Sequence, residues 1–295
     1  MLWLGESRGY LSDYVTQLWV CATGRQVDLH SMPWLQGPVG FSRGIGSGFF
    51  HQLADAEGLN QQQGEGLLPD FSVLSGPGFN LQQVSSGVRR FYEHTSHYSL
   101  DAWSEWCGFH KPFGRLLALM FSRRLQQLNI PLSSLDTSQG ITSEVLDLVH
   151  PDSGERRYTV WLRHLVSTRD VLYAGSYSSC VVPGFKGTCV KVTFPLPNGN
   201  ATVIMYPESA EDGSFTVTSA GRSFGDPGFY FTVHHGTNVS ARYVRSLQES
   251  IRVYQVSDAE IRADHVLRYF GAVFLRLHYK LTQTAEVAQL AIRHS

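Results

Sequence analysis

Few side chains in this sequence are placed to move a proton or carry a charge inside a fold. His164, Asp226, His235 and Glu249 are the acid–base candidates, and Arg245 joins Glu249 as a charge among apolar neighbours. Strand parity singles them out. Tyr158, Val160 and Leu162 share a parity that carries His164 to the same face. Phe229, Phe231 and Val233 do the same for His235, and Tyr243, Leu247, Ile251 and Val253 for Arg245 and Glu249. A charge inside a core is costly unless it is paired. Arg245 and Glu249 fall about 13 Å apart along one strand, too far to pair with each other. Each needs another partner, water or a polar ligand, unless a bulge flips the parity and leaves both on a wet face. Asp226, in Gly225-Asp226-Pro227-Gly228, is either a base at a cavity mouth or an Asp that caps its own turn.

Other constellations fall short of a site. His94 and His97 are spaced so that two imidazoles on a helix could reach one metal, but no third ligand is identifiable. His234 and His235 are adjacent on a strand and point to opposite faces. No nucleophile–base–acid triad, G-x-S-x-G, P-loop or Rossmann signature occurs, so no motif names a reaction and no cofactor is expected. Cys21, Cys107, Cys180 and Cys189 contain no C-x-x-C pair. Cys180 and Cys189 flank a Pro-Gly loop and can face each other across two strands, and thiols are expected.

The elements that must position these residues are mostly strands. Val273, Leu275, Leu277, Tyr279 and Leu281 alternate with Phe274, Arg276, His278 and Lys280, a period of two that puts one face in a core. Strands are expected near 141–149, 157–166, 170–178, 188–196, 200–206, 214–219, 228–235, 241–255, 261–270 and 272–281. Asn198-Gly199 and Asp212-Gly213 are hairpin turns. Strands joined this closely must be antiparallel, and so many around one core curl into a barrel or a strongly bent sheet. Helices are expected over 9–23, from Asn80 onward, and over 112–129, with a short one at Phe49–Leu53. The 112–129 helix carries Arg115, Arg123 and Arg124 beside a wide apolar stripe. Residues 24–79 are rich in Gly and Pro, and Trp34, Phe41, Phe49 and Phe71 are expected to hold them against the body.

The bulk composition narrows the classes. The chain has 295 residues, 42% hydrophobic and 17% charged, which is globular. Lys+Arg is 24 and Asp+Glu 25, so no global basic field suggests nucleic acid. No apolar run reaches the roughly 20 residues of a membrane-spanning helix. Met1–Gly24 lacks the pattern of a signal peptide, so a cytoplasmic location is expected.

The fold expected is α+β: N-terminal helices, then a large curved antiparallel sheet, barrel-like or helix-grip-like, packed on the amphipathic helix. Residues 1–79 form an arm packed on the body, and 80–295 a single domain with helices at 80–129 and the sheet at 140–281. The function expected is binding of a hydrophobic or amphipathic molecule, lipid-like or polycyclic, against Phe194, Phe229, Phe231, Arg245 and Glu249. The alternatives are a cofactor-free cavity enzyme of cyclase, isomerase or dehydratase type, and a peripheral membrane or protein-interaction module using the basic helix.

Overall fold

The computed structural model describes residues 11–40, 48–107, 141–165 and 171–284. Three α-helices occur among them: α1 (Leu11–Thr23), α2 (Phe49–Glu57) and α3 (Ser86–Glu93). The early strands are β1 (Arg25–Val27), β2 (Asn60–Gln63), β3 (Tyr98–Trp106), β4 (Ile141–Val149) and β5 (Arg156–Leu165). There follow β6 (Val171–Cys180), β7 (Cys189–Leu196), β8 (Gly199–Ser209), β9 (Phe215–Thr218) and β10 (Gly228–His235). The last are β11 (Asn238–Val244), β12 (Leu247–Ser257), β13 (Glu260–Tyr269) and β14 (Ala272–Gln283).

The sheet closes because β8 is long enough to serve three partners. One edge pairs with β7. The other edge pairs with β10 over Gly199–Ile204 and with β9 over Tyr206–Ser209. From β9 the pairing runs through β12, β13, β14, β3, β4, β5, β6 and β7 back to β8, a closed antiparallel barrel. β10, β11 and β1 branch from β8 outside this ring. The branch needs Gly199: a Cβ there would lie 1.9 Å from the Thr232 carbonyl oxygen of β10. Asn198, with φ 58°, makes the turn into β8.

The lumen is packed by the chain itself. Leu67, Leu68, Phe71, Val88, Phe91 and Tyr92, from α3 and the segment before it, share one core with Val192, Val203, Phe215, Val253 and Leu281 of the wall. Phe215 is fully buried and meets Phe71 at 4.9 Å, Tyr92 at 5.4 Å and Phe79 at 5.9 Å between ring centroids. Outside the barrel, α2 lays Phe49, Phe50 and Leu53 over Leu146, Leu148, Tyr158, Val160 and Leu162. A third cluster seats Trp34 and Leu35 against Ile204 and Tyr230.

Several expectations are revised. The strand expected over 241–255 is two, β11 and β12, broken by a turn at Arg245-Ser246. Trp103 and Trp106 belong to a strand of the ring, β3, which the sequence did not reveal. The expected 112–129 helix, its packing on the sheet, and Phe41 lie outside the described residues. Cys180 and Cys189 are register partners across β6 and β7, and both are thiols.

Phe215→Ala should lower the unfolding free energy by about 3–5 kcal/mol, because three aromatic neighbours cannot collapse into the space it leaves. Val73→Ala, at a residue 42% exposed, should change it by less than about 0.5 kcal/mol. Urea unfolding of both variants measures the difference.

Candidate functional site

Opposite walls of the barrel contribute a polar layer to the lumen. On β5 the lumen-facing parity is Thr159, Trp161 and Arg163, since Trp161 belongs to the interior core. Arg163 is 8% exposed, and its guanidinium lies 3.4 Å from the Trp161 ring centroid, 4.7 Å from Tyr173 and 5.2 Å from Tyr279. Such a cage stabilises a desolvated cation through the ring faces. Across the lumen, Glu249 of β12 is 8% exposed and meets the His265 Nε2 of β13 at 2.9 Å. The phenols between them are hydrogen-bonded and protonated. Tyr173 donates to the Tyr177 oxygen at 2.8 Å. Burial pushes the Tyr177 phenol up to about 12, and raises Tyr173 and Tyr279 in the same sense. The layer sets the Arg163 guanidinium and the Glu249 carboxyl on different strands with phenols between them, and among the described residues no nucleophile stands beside a base. Among the described residues no group of three His, Cys, Asp or Glu could hold a metal ion.

The acid–base candidates are not brought together. His164 lies on the outer wall, on the parity of Tyr158, Val160 and Leu162 that α2 covers, because the barrel buries both faces of β5. Burial lowers its pKa, against a smaller upward pull from Glu144. His235 ends β10, with Nε2 at 3.1 Å from the Ser240 hydroxyl. Asp226 caps its own turn and accepts from the Arg222 and Ser223 amides and the Ser223 hydroxyl. Burial pulls its pKa up, but those hydrogen bonds outweigh burial and leave it lowered. Glu249 alone of the four faces the lumen.

The ligand set also divides. Phe194 packs at the lumen core, 5.2 Å from Tyr173, and Phe229 belongs to that core. Phe231 lies instead beneath Trp19 of α1, at 6.0 Å. Arg245 is exposed in the β11–β12 turn and shares no face with Glu249, because the turn ends the parity that linked them. Arg163, Tyr173, Tyr177 and His265 are not among the sequence candidates. The signal for the tyrosines was present in their spacing, four residues apart on one strand face.

At one end of the barrel the β13–β14 turn presents Tyr269 and Phe270, 38% and 78% exposed, with ring centroids 4.7 Å apart. Phe270 has φ 49°, and its amide donates to the Ser246 carbonyl at 2.8 Å, which ties this turn to the one carrying Arg245. Arg268 precedes the aromatic pair.

No family model matches the chain, and no solved structure matches it. A curated relative is the uncharacterized membrane protein YndJ of Bacillus subtilis (strain 168), 26% identical over 242 residues. The match covers 81% of this chain and 42% of the relative, so the chain spans less than half of that protein's length. This corrects two expectations, the cytoplasmic location and a function as carrier of a hydrophobic molecule: the relative is named a membrane protein. Much of the interior reserved for such a ligand is filled by Phe71, Phe91 and Tyr92. No helix among the described residues is long and apolar enough to cross a membrane.

Arg163→Ala should destabilise the protein by about 2–3 kcal/mol in urea unfolding, because it empties a buried site and removes the guanidinium from the Trp161, Tyr173 and Tyr279 rings. A second expectation follows from His164 and His234, whose pKa values burial lowers below the ordinary value. Between the depressed and ordinary values the unfolded chain binds more protons than the folded one, so stability falls as pH drops below about 6.5. Unfolding measured across that range should show a shallower fall in His164→Gln and His234→Gln.

Proposed function

We propose that this chain is a barrel domain that sits on a membrane surface without spanning it, docked on anionic lipid by its β13–β14 turn. The observation that carries this reading is Phe270, a large aromatic 78% exposed in a left-handed conformation. That conformation costs a bulky residue roughly 1–2 kcal/mol, and Gly would avoid the cost. Strain kept on an exposed side chain favours a role outside the fold. Tyr and Trp rings gather at the lipid headgroup level, and Tyr269 is placed beside Phe270 to do so. Arg245 and Arg268 make no ion pair among the described residues, and an arginine near an anionic surface contributes about 1 kcal/mol.

The outward face of the neighbouring wall favours lying on the bilayer over crossing it. Arg252, Arg262, Asp264, Arg276 and Lys280 point outward from β12, β13 and β14, whereas a strand facing lipid carries an apolar outer face. The relative's name supports a membrane surface as the partner.

Flotation with phosphatidylcholine vesicles, with and without phosphatidylserine, tests the reading. The protein should float with the anionic vesicles and less so at high salt. Phe270→Gly should weaken binding about tenfold by removing the inserted ring, while leaving stability unchanged or slightly raised. Equal flotation of Phe270→Gly and the wild type would sink the proposal, as would no flotation at all.

A further inference from the structure

The other end of the barrel carries a different surface. Helix α3 buries Val88, Phe91 and Tyr92 in the lumen and turns its remaining side chains to a cleft of about 440 Å³. Ser72, Ser86, Arg89, Arg90, His94 and His97 line it. Its charge is uneven. Neither Arg89 nor Arg90 makes an ion pair among the described residues, and Arg89 Nε is buried without a hydrogen-bond partner. The acid in the lining, Glu93, accepts from the Phe71 amide through Oε1 at 3.0 Å. Glu65 engages His94 Nδ1 at 3.1 Å. The His94 and His97 rings stack at 5.4 Å with 8° between their planes. An unpartnered buried donor costs free energy until an acceptor arrives. Planar guanidiniums satisfy tetrahedral oxyanions through paired N–H bonds, and imidazole and hydroxyl groups add further donors.

We propose that this cleft binds a phosphate group, with Arg89 and Arg90 as its principal ligands and Ser72, Ser86 and the histidine pair around it. The position of the cleft bears on where the phosphate comes from. The Gly87 amide of α3 donates to Gln255 Oε1 at 3.2 Å, which fixes the cleft at the Gln255 end of β12. The Tyr269 turn pairs with Leu247 at the opposite end of that strand. From Leu247 to Gln255 the strand rises about 26 Å. A barrel docked by Phe270 therefore turns this cleft away from the bilayer, which favours a soluble phosphate monoester over a headgroup. The cleft itself does not depend on that docking.

Calorimetric titration of the full chain with inorganic phosphate and with glycerol phosphate tests the site. Flotation on phosphatidic acid vesicles, in the Phe270→Gly background, tests the lipid source. At least one probe should bind saturably, and the Arg89→Gln/Arg90→Gln variant should bind it at least tenfold more weakly. Arg90→Gln alone, at an exposed position, guards against loss of fold and should weaken binding in the same direction. Binding of a soluble probe supports a free phosphate source, and Arg-dependent binding of vesicles alone supports the same chemistry from lipid. No saturable binding of any probe, or equal binding by the wild type and both variants, overturns the proposal.

Discussion

Closure of the ring at β8 is the constraint on which the rest of the structure depends. A strand that pairs on one edge over Gly199–Met205 and divides its other edge between two partners removes the free edge of the barrel and still leaves a branch outside. Closure then defines a lumen, and α3 with the segment before it fills one end of it. It also creates an outside that needs cover wherever it is apolar, and α2 and the Trp34 segment supply that cover. The Gly- and Pro-rich early residues are thus held by aromatic contacts: Trp34, Phe49 and Phe71 are all buried.

Burial on both faces explains what the sequence disclosed and what it did not. Alternation in β14 was legible because Arg276, His278 and Lys280 on its outward face are polar, and Tyr279 and Leu281 do face the core. β5 was misleading, because Tyr158, Val160 and Leu162 are apolar for a helix outside, while Thr159, Trp161 and Arg163 face in. A polar residue at a lumen position looks like a surface residue when the opposite parity is the more apolar one. The antiparallel, barrel-like character could be read from turn signals and strand spacing alone. The Arg245-Ser246 turn could not, because it carries neither Gly nor Pro. β3 was obscured by its two tryptophans, which suit a helix or a strand equally.

The lumen layer shows how the walls are held in register. Arg163 and Glu249 belong to strands far apart around the ring, and three tyrosines fill the space between them. Polar groups inside a barrel specify a single arrangement of strands more strictly than methyl groups do, since a slip would take Arg163 from its rings and Glu249 from His265. The ends then differ in kind. One is closed by the aromatic plug and carries the arginine-lined cleft, and the other offers an aromatic pair on a turn, with Phe270 in a left-handed conformation.

The facing thiols of β6 and β7 have a consequence for the history of the molecule. Burial pushes the Cys180 thiol up to about 11 and raises Cys189 further. Thiolate is the reactive form. At neutral pH about one Cys180 in ten thousand is ionised. Oxidation of the pair is therefore slower in the closed barrel than in the open chain, where neither thiol is buried.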